Sequence, residues 1–177
     1  RFVEEGRVLL VTGTSQCMFG KTTVREDGSL LEGLVLIDCS FTERKMVYGD
    51  DLYFETGYGC KEGETMEIFG SQIQMMDVES RETPFGTLKY GFGNNGEDRN
   101  EGVLKKNSIF TNTLGPIFVL NPWLTKKIVL QCLWNIGVEI EEFEFDETLE
   151  KKTQETKTMF TEGKITRLHN CKKKKKM

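Results

Sequence analysis

At 177 residues, with 37% apolar and 29% charged side chains, the chain is long enough to bury the core of one domain. No apolar run approaches the roughly 18–20 residues of a membrane span, and Arg1–Gly6 lacks the basic-then-apolar layout of a signal peptide. The formal charge of −4 includes +5 from Lys172–Lys176, which leaves −9 on the rest, an acidic body unlike the basic, aromatic-interleaved face of a nucleic-acid binder.

Phe2–Glu5 reads as the end of a helix stopped at Gly6. With no starting Met, this opening makes the sequence expected to be a piece of a longer domain. Arg7–Thr12 is apolar on both faces and β-branched, the pattern of a buried parallel strand. Gly13-Thr14-Ser15 forms a tight turn, and a short helix is expected over Gln16–Gly20. Strand, sharp glycine turn and helix together present a side chain at the C-terminal edge of a sheet, the place of a nucleophile. Leu30–Asp38 is a second apolar segment. Met46–Glu55, Glu64–Met75 and Gly86–Gly91 alternate between glycine turns and predict antiparallel strands, with Ser108–Thr113 a further strand. Asn121 as N-cap and Pro122 at the first helical position open a helix to about Asn135, with Leu124, Ile128, Cys132 and Leu133 at helical spacing and Gly137 as its stop. Residues 139–163 are charged and read as ending in a surface helix. One folded body is assigned to 1–163, and 164–177 to a disordered basic tail.

Cys17, Cys39, Cys60, Cys132 and Cys171 are odd in number and lack CxxC spacing, which favours reduced thiols, a cytoplasmic setting and no metal site. The one histidine, His169, sits beside Cys171 in the tail and is read as solvated. Phe118, Trp123 and Trp134 are read as core or partner-facing packing rather than a cofactor box, and no cofactor is expected.

Two stretches carry a family resemblance. Gly93-Asn94-Asn95-Gly96-Glu97-Asp98-Arg99-Asn100-Glu101-Gly102 resembles a GNNxEDxxEG loop of the CobB/CobQ-type class I glutamine amidotransferases, most closely the glutaminase subunits of lipid II isoglutaminyl synthases. Val8–Lys21 resembles their nucleophile segment, a buried strand followed by Cys-Gly-Gly-aromatic-Gln. Asp27-Gly28, Glu32-Gly33-Leu34 and Ile37-Asp38 fall at the family's DG, EGLG and LD, and Phe110–Pro116 through Asn121-Pro122 looks like its GTYLHGPxxxxNP. The resemblance implies a flavodoxin-like α/β fold lacking its N-terminal strands. It also implies a Mur-ligase-like or other ATP-dependent synthetase partner, with glutamine as substrate if a pocket survives.

In that family a cysteine thiolate attacks the glutamine amide, and a histidine carries the thiol proton to the leaving ammonia. Aligned on the motif, the cysteine position holds Gly13 (Thr12 in a one-residue shift) and the histidine position Leu114. Gln72 and Gln74 stand for a Glu and a His, and the substrate-binding arginine falls near Lys45 or Met46. The expected reading is an inactive relative, a pseudoenzyme of lipid II (peptidoglycan) or cobyrinate-type (cobalamin) amidation. Asn94, Asn95, Glu97, Asp98 and Glu101 are the candidate partner or ligand loop, weighed against a purely structural turn. One alternative is an active glutaminase using Cys17 as a displaced nucleophile; another is a non-catalytic ligand-binding or scaffold module. Thr12, Thr14 and Ser15 are read as turn and capping residues.

Overall fold

The structure, a computed structural model, describes residues 1–140 and 142–174, with side chains through residue 167. The apolar run after Gly6 becomes strand β1 (Leu9–Thr12), which passes without a break into a 3₁₀ helix over Gly13–Phe19. A short hairpin follows, β2 (Thr22–Val24) and β3 (Leu30–Glu32). Two long strands come next, β4 (Cys39–Thr56) and β5 (Met66–Ser80). They are succeeded by β6 (Gly86–Tyr90), β7 (Asn100–Glu101), β8 (Val103–Lys105) and β9 (Ser108–Thr111). Helices α1 (Ile117–Leu120), α2 (Pro122–Asn135) and α3 (Thr148–Lys174) complete a mixed α/β architecture.

The strands form two sheets. In the smaller, ordered β1-β9-β8, β1 lies parallel to β9 with Val11 opposite Phe110. The larger runs β3-β2-β4-β6-β7, and β5 pairs antiparallel with β4 along most of its length. That antiparallel ribbon follows from the alternating sequence: Leu52, Phe54, Ile68 and Val78 face one side and are at most 1% exposed. Between Glu43 and Tyr48 the register shifts, and the β4 strand bulges. One core cluster packs Leu52, Phe54, Ile68 and Phe85 against Ile109, Leu124 and Ile128; another gathers Val11, Phe41, Val78 and Phe110 around β1 and β9. On the other face of the ribbon Tyr53 and Phe69 stack at 4.3 Å, joined by Leu120 and by Ile165 of α3. Lys164 fastens α3 to this face through Asp50 and Asp51, each at 2.6 Å.

Several sequence expectations change here. Residues 2–6 make a single hydrogen-bonded turn rather than a helix, Glu5 N–H donating to Arg1 O at 2.9 Å. The helix after β1 starts at Gly13, not Gln16, and is 3₁₀. Of Leu30–Asp38 only Leu30–Glu32 is strand, because the backbone N–H groups of residues 34–37 turn back to carbonyls of Met18, Phe19 and Gly20. Asn121 precedes α2 as expected, yet its amide does not cap it; it bonds the Phe69 backbone N–H and C=O at 2.9 and 2.8 Å and ties the helix start to β5. Gly137, at φ +79°, ends α2 with its N–H on Trp134 O and the Val138 N–H on Leu133 O. The charged C-terminal stretch is helical from Thr148 to Lys174, so the backbone of residues 164–174 continues α3 instead of leaving it. The side chains of His169, Cys171 and Lys172–Lys176 lie outside the described residues. Among the described residues no helix is long and apolar enough to cross a membrane.

Candidate functional site

The turn after β1 is the sharp feature the sequence foretold. Gly13 is buried and has φ +62°, the left-handed conformation in which a strand-to-helix elbow holds out its side chain. The residue facing it is Leu114. A Cβ on Gly13 would lie 3.0 Å from Leu114 Cγ and closer still to Cδ2, so the leucine occupies the space a side chain at the elbow would need. Leu114 is held there by β5: Gln72 bridges Thr113, and Ser71 O accepts the Leu114 N–H at 2.8 Å. Gly13 and Leu114, separated by about a hundred residues in sequence, are thus brought into contact.

Behind this contact lies a buried polar network. Gln16, three residues past Gly13, donates from Nε2 to Asn112 Oδ1 at 2.7 Å. Asn112 Nδ2 in turn reaches Asn94 Oδ1 and Glu101 Oε2, both at 2.9 Å. Glu101 also accepts from Thr111 Oγ1 at 2.5 Å and from the Asn112 N–H at 3.0 Å. Its carboxyl is completely buried with donors and, among the described residues, no ion-pair partner; desolvation pushes its pKa up, the hydrogen bonds opposing that shift only in part. Gln16 Oε1 is buried without a hydrogen-bond partner among the described residues. Gln72 joins from β5, donating to Gly93 O at 2.7 Å and accepting the Gly93 N–H at 3.0 Å; Gln74 follows it, accepting from Gln72 at 3.3 Å.

The loop motif therefore divides. Asn94 and Glu101 point inward, where Asn94 Oδ1 accepts the Gly102 N–H at 2.7 Å, and both brace the strands that carry Leu114. Asn95, Glu97 and Asp98 belong to an outer turn: Asn95 Oδ1 accepts the N–H groups of Glu97 and Asp98, each at 3.0 Å. The side chains of Glu97 and Asp98 are exposed. Glu101, read from sequence as able to meet a ligand or partner, has no accessible surface and cannot do so directly.

Cys17 is partly buried among Val11, Cys39 and Phe110 in the second core cluster, one turn of 3₁₀ helix beyond the elbow. Burial raises its thiol pKa, against a weaker lowering by Thr23, and no described histidine stands near it. Burial among apolar side chains disfavours the thiolate there. Lys45 is exposed on the β4 bulge and makes no ion pair with another described residue. The residue before it does more. Arg44 pairs with Asp77, donates to Asn95 O at 3.2 Å, and lies 4.2 Å over the Phe92 ring. Sequence reading passed over Arg44, since a bulge interrupts the alternation that would have assigned its face.

Chemically, the elbow brings together a glycine and a leucine, neither of which carries an ionisable side chain. Compared with curated proteins, the chain is 28% identical over 156 residues to the "Lipid II isoglutaminyl synthase (glutamine-hydrolyzing) subunit GatD" of Staphylococcus aureus (strain N315), across 84% of this chain and 58% of that protein. It spans little more than half of that relative's length. The likeness supports a distant relation to that subunit; no protein-family model matches the chain.

Proposed function

We propose that this chain is a CobB/CobQ-type, flavodoxin-like amidotransferase domain that no longer hydrolyses glutamine, and that it acts in the cytoplasm beside an ATP-dependent, Mur-ligase-like synthetase. The pathway that the relative's name suggests is amidation of the cell-wall precursor lipid II. One observation carries the reading: the positions where the resemblance puts the nucleophile and its proton carrier do meet in space, and they hold Gly13 and Leu114. Without a thiolate no thioester forms, and a leucine moves no proton. Groups of this kind act as a unit, so the loss of either already removes most of the catalysis they supply together. Retention of the buried frame around the contact supports a domain kept for its shape. On the partner side, the outer turn of Asn95, Glu97 and Asp98 is the surface offered for docking, with Lys45 exposed on the β4 bulge.

Incubation with a glutamine-analogue electrophile such as 6-diazo-5-oxonorleucine, followed by peptide mass spectrometry, tests the reading. The expected result is an unmodified chain. A stoichiometric adduct on Cys17, suppressed by glutamine, would establish the displaced-nucleophile alternative instead.

A further inference from the structure

At the opposite end of β1 and β9 from the elbow, a cavity of about 470 Å³ opens between the C-terminal half of α2, the turn after β4 and the turn between β8 and β9. Its size falls in the range of small-molecule sites. Tyr58, Gly59, Lys106, Lys127, Gln131 and Trp134 are among its lining residues, and among the described residues no acidic side chain lines it.

Three observations make it more than a surface dent. Tyr58 is only 7% exposed, its ring edge-on to Phe85, yet its hydroxyl makes no hydrogen bond to any described residue. Among the described residues the only fully inaccessible side-chain polar atom without a partner is Gln16 Oε1, so the Tyr58 hydroxyl keeps access to solvent. Lys127 lays its aliphatic stem over Gly59, whose absent Cβ leaves room for it at 3.3 Å, and its ammonium has no ion-pair partner among the described residues. Lys106, by contrast, is already engaged by Glu4 at 3.0 Å. Trp134 is 63% exposed, and its indole N–H makes no hydrogen bond to a described residue. Trp123, the other tryptophan, is half-buried and donates to Glu67 O at 3.0 Å.

We propose that this cavity binds a small aromatic anion, its ring against Trp134 and its charged group between the Lys127 ammonium and the Tyr58 hydroxyl. The placement assigns one task to each unpaired group: an aromatic face for the ring, a donor and a cation for the charge. It is independent of the elbow, and its success or failure leaves the glutaminase question untouched.

Isothermal titration of the full chain with phenyl phosphate tests it, with inorganic phosphate and phenol as probes of the charge and the ring alone. Saturable one-site binding of phenyl phosphate is expected, at least tenfold tighter than either half. Lys127→Gln and Trp134→Ala should each weaken it tenfold or more, and Tyr58→Phe by a few-fold, with circular dichroism confirming that each variant folds. The proposal is overturned by absence of saturable binding, by equal binding of inorganic phosphate, or by unchanged affinity in both the Lys127→Gln and Trp134→Ala variants.

Discussion

Gln16, Asn94, Glu101, Thr111 and Asn112 share a chain of buried hydrogen bonds, while a few ångströms away Gly13 and Leu114 meet through a contact with no polar side-chain atom in it. The two regions answer to different constraints. Each member of the network is committed: removing one leaves its partners desolvated and unpaired, a cost that falls on folding itself. The elbow pair is not committed in that way. A glycine suits the left-handed backbone, and a leucine covers it, so residues with no catalytic chemistry can occupy both places without disturbing the frame.

That contrast can be broken by mutating each side. Glu101→Leu should cost about 3 kcal/mol in urea unfolding, since it strands the Thr111 hydroxyl and two Asn112 donors in an apolar wall. A loss below about 1 kcal/mol would show that the network is dispensable. The milder Glu101→Gln should expose the titration. Because the folded pKa of Glu101 is raised above its ordinary value of 4.5, the wild-type chain should lose stability as pH climbs from there to the folded value and stay level beyond it. The glutamine variant should lack that step.

On the elbow side, Gly13→Ala should cost about 2 kcal/mol, from the left-handed backbone and from the collision with Leu114. Adding Leu114→Ala should recover about half of that loss, because the space becomes free while the backbone strain remains. Purely additive effects would mean that the two residues do not touch. A smaller effect of opposite sign is expected at Val35, a β-branched residue at φ +55° in the fourth position of the EGLG-like stretch. Val35→Gly should stabilise by about 0.5–1 kcal/mol, and a loss would contradict the strain assigned to it. Smallest of all is Lys164→Gln, worth about 0.5 kcal/mol because the lysine side chain is 38% exposed and its pairs are screened. Its effect should shrink further in 0.5 M salt.

How much of this was legible beforehand depended on periodicity. Strand β1, the antiparallel ribbon and α2 carry a clear pattern and explicit stops, Pro122 and Gly137 among them. Helix α3 does not: its charges surround it, so its start at Thr148 and its extent were hidden. Strands of two or three residues, such as β2 and β7, are too short to show alternation. At the site, the motif located Gly13 and Leu114 but could not tell that Asn94 and Glu101 face inward while Asn95, Glu97 and Asp98 face out, because a loop has no period to reveal its two sides. Nor could it show that Gln16 would be drawn into the same network by the 3₁₀ turn.

The central claim is that the elbow holds no working nucleophile, and it is tested most directly by ammonia release from glutamine. Wild-type chain, Cys17→Ala, and the double variant Gly13→Cys with Leu114→His would be assayed side by side. The account predicts no release from the first two. In the third, the geometry puts a thiol and an imidazole in contact, so labelling by the glutamine-analogue electrophile is expected at residue 13. Ammonia released by the wild-type chain and abolished by Cys17→Ala would contradict the account outright.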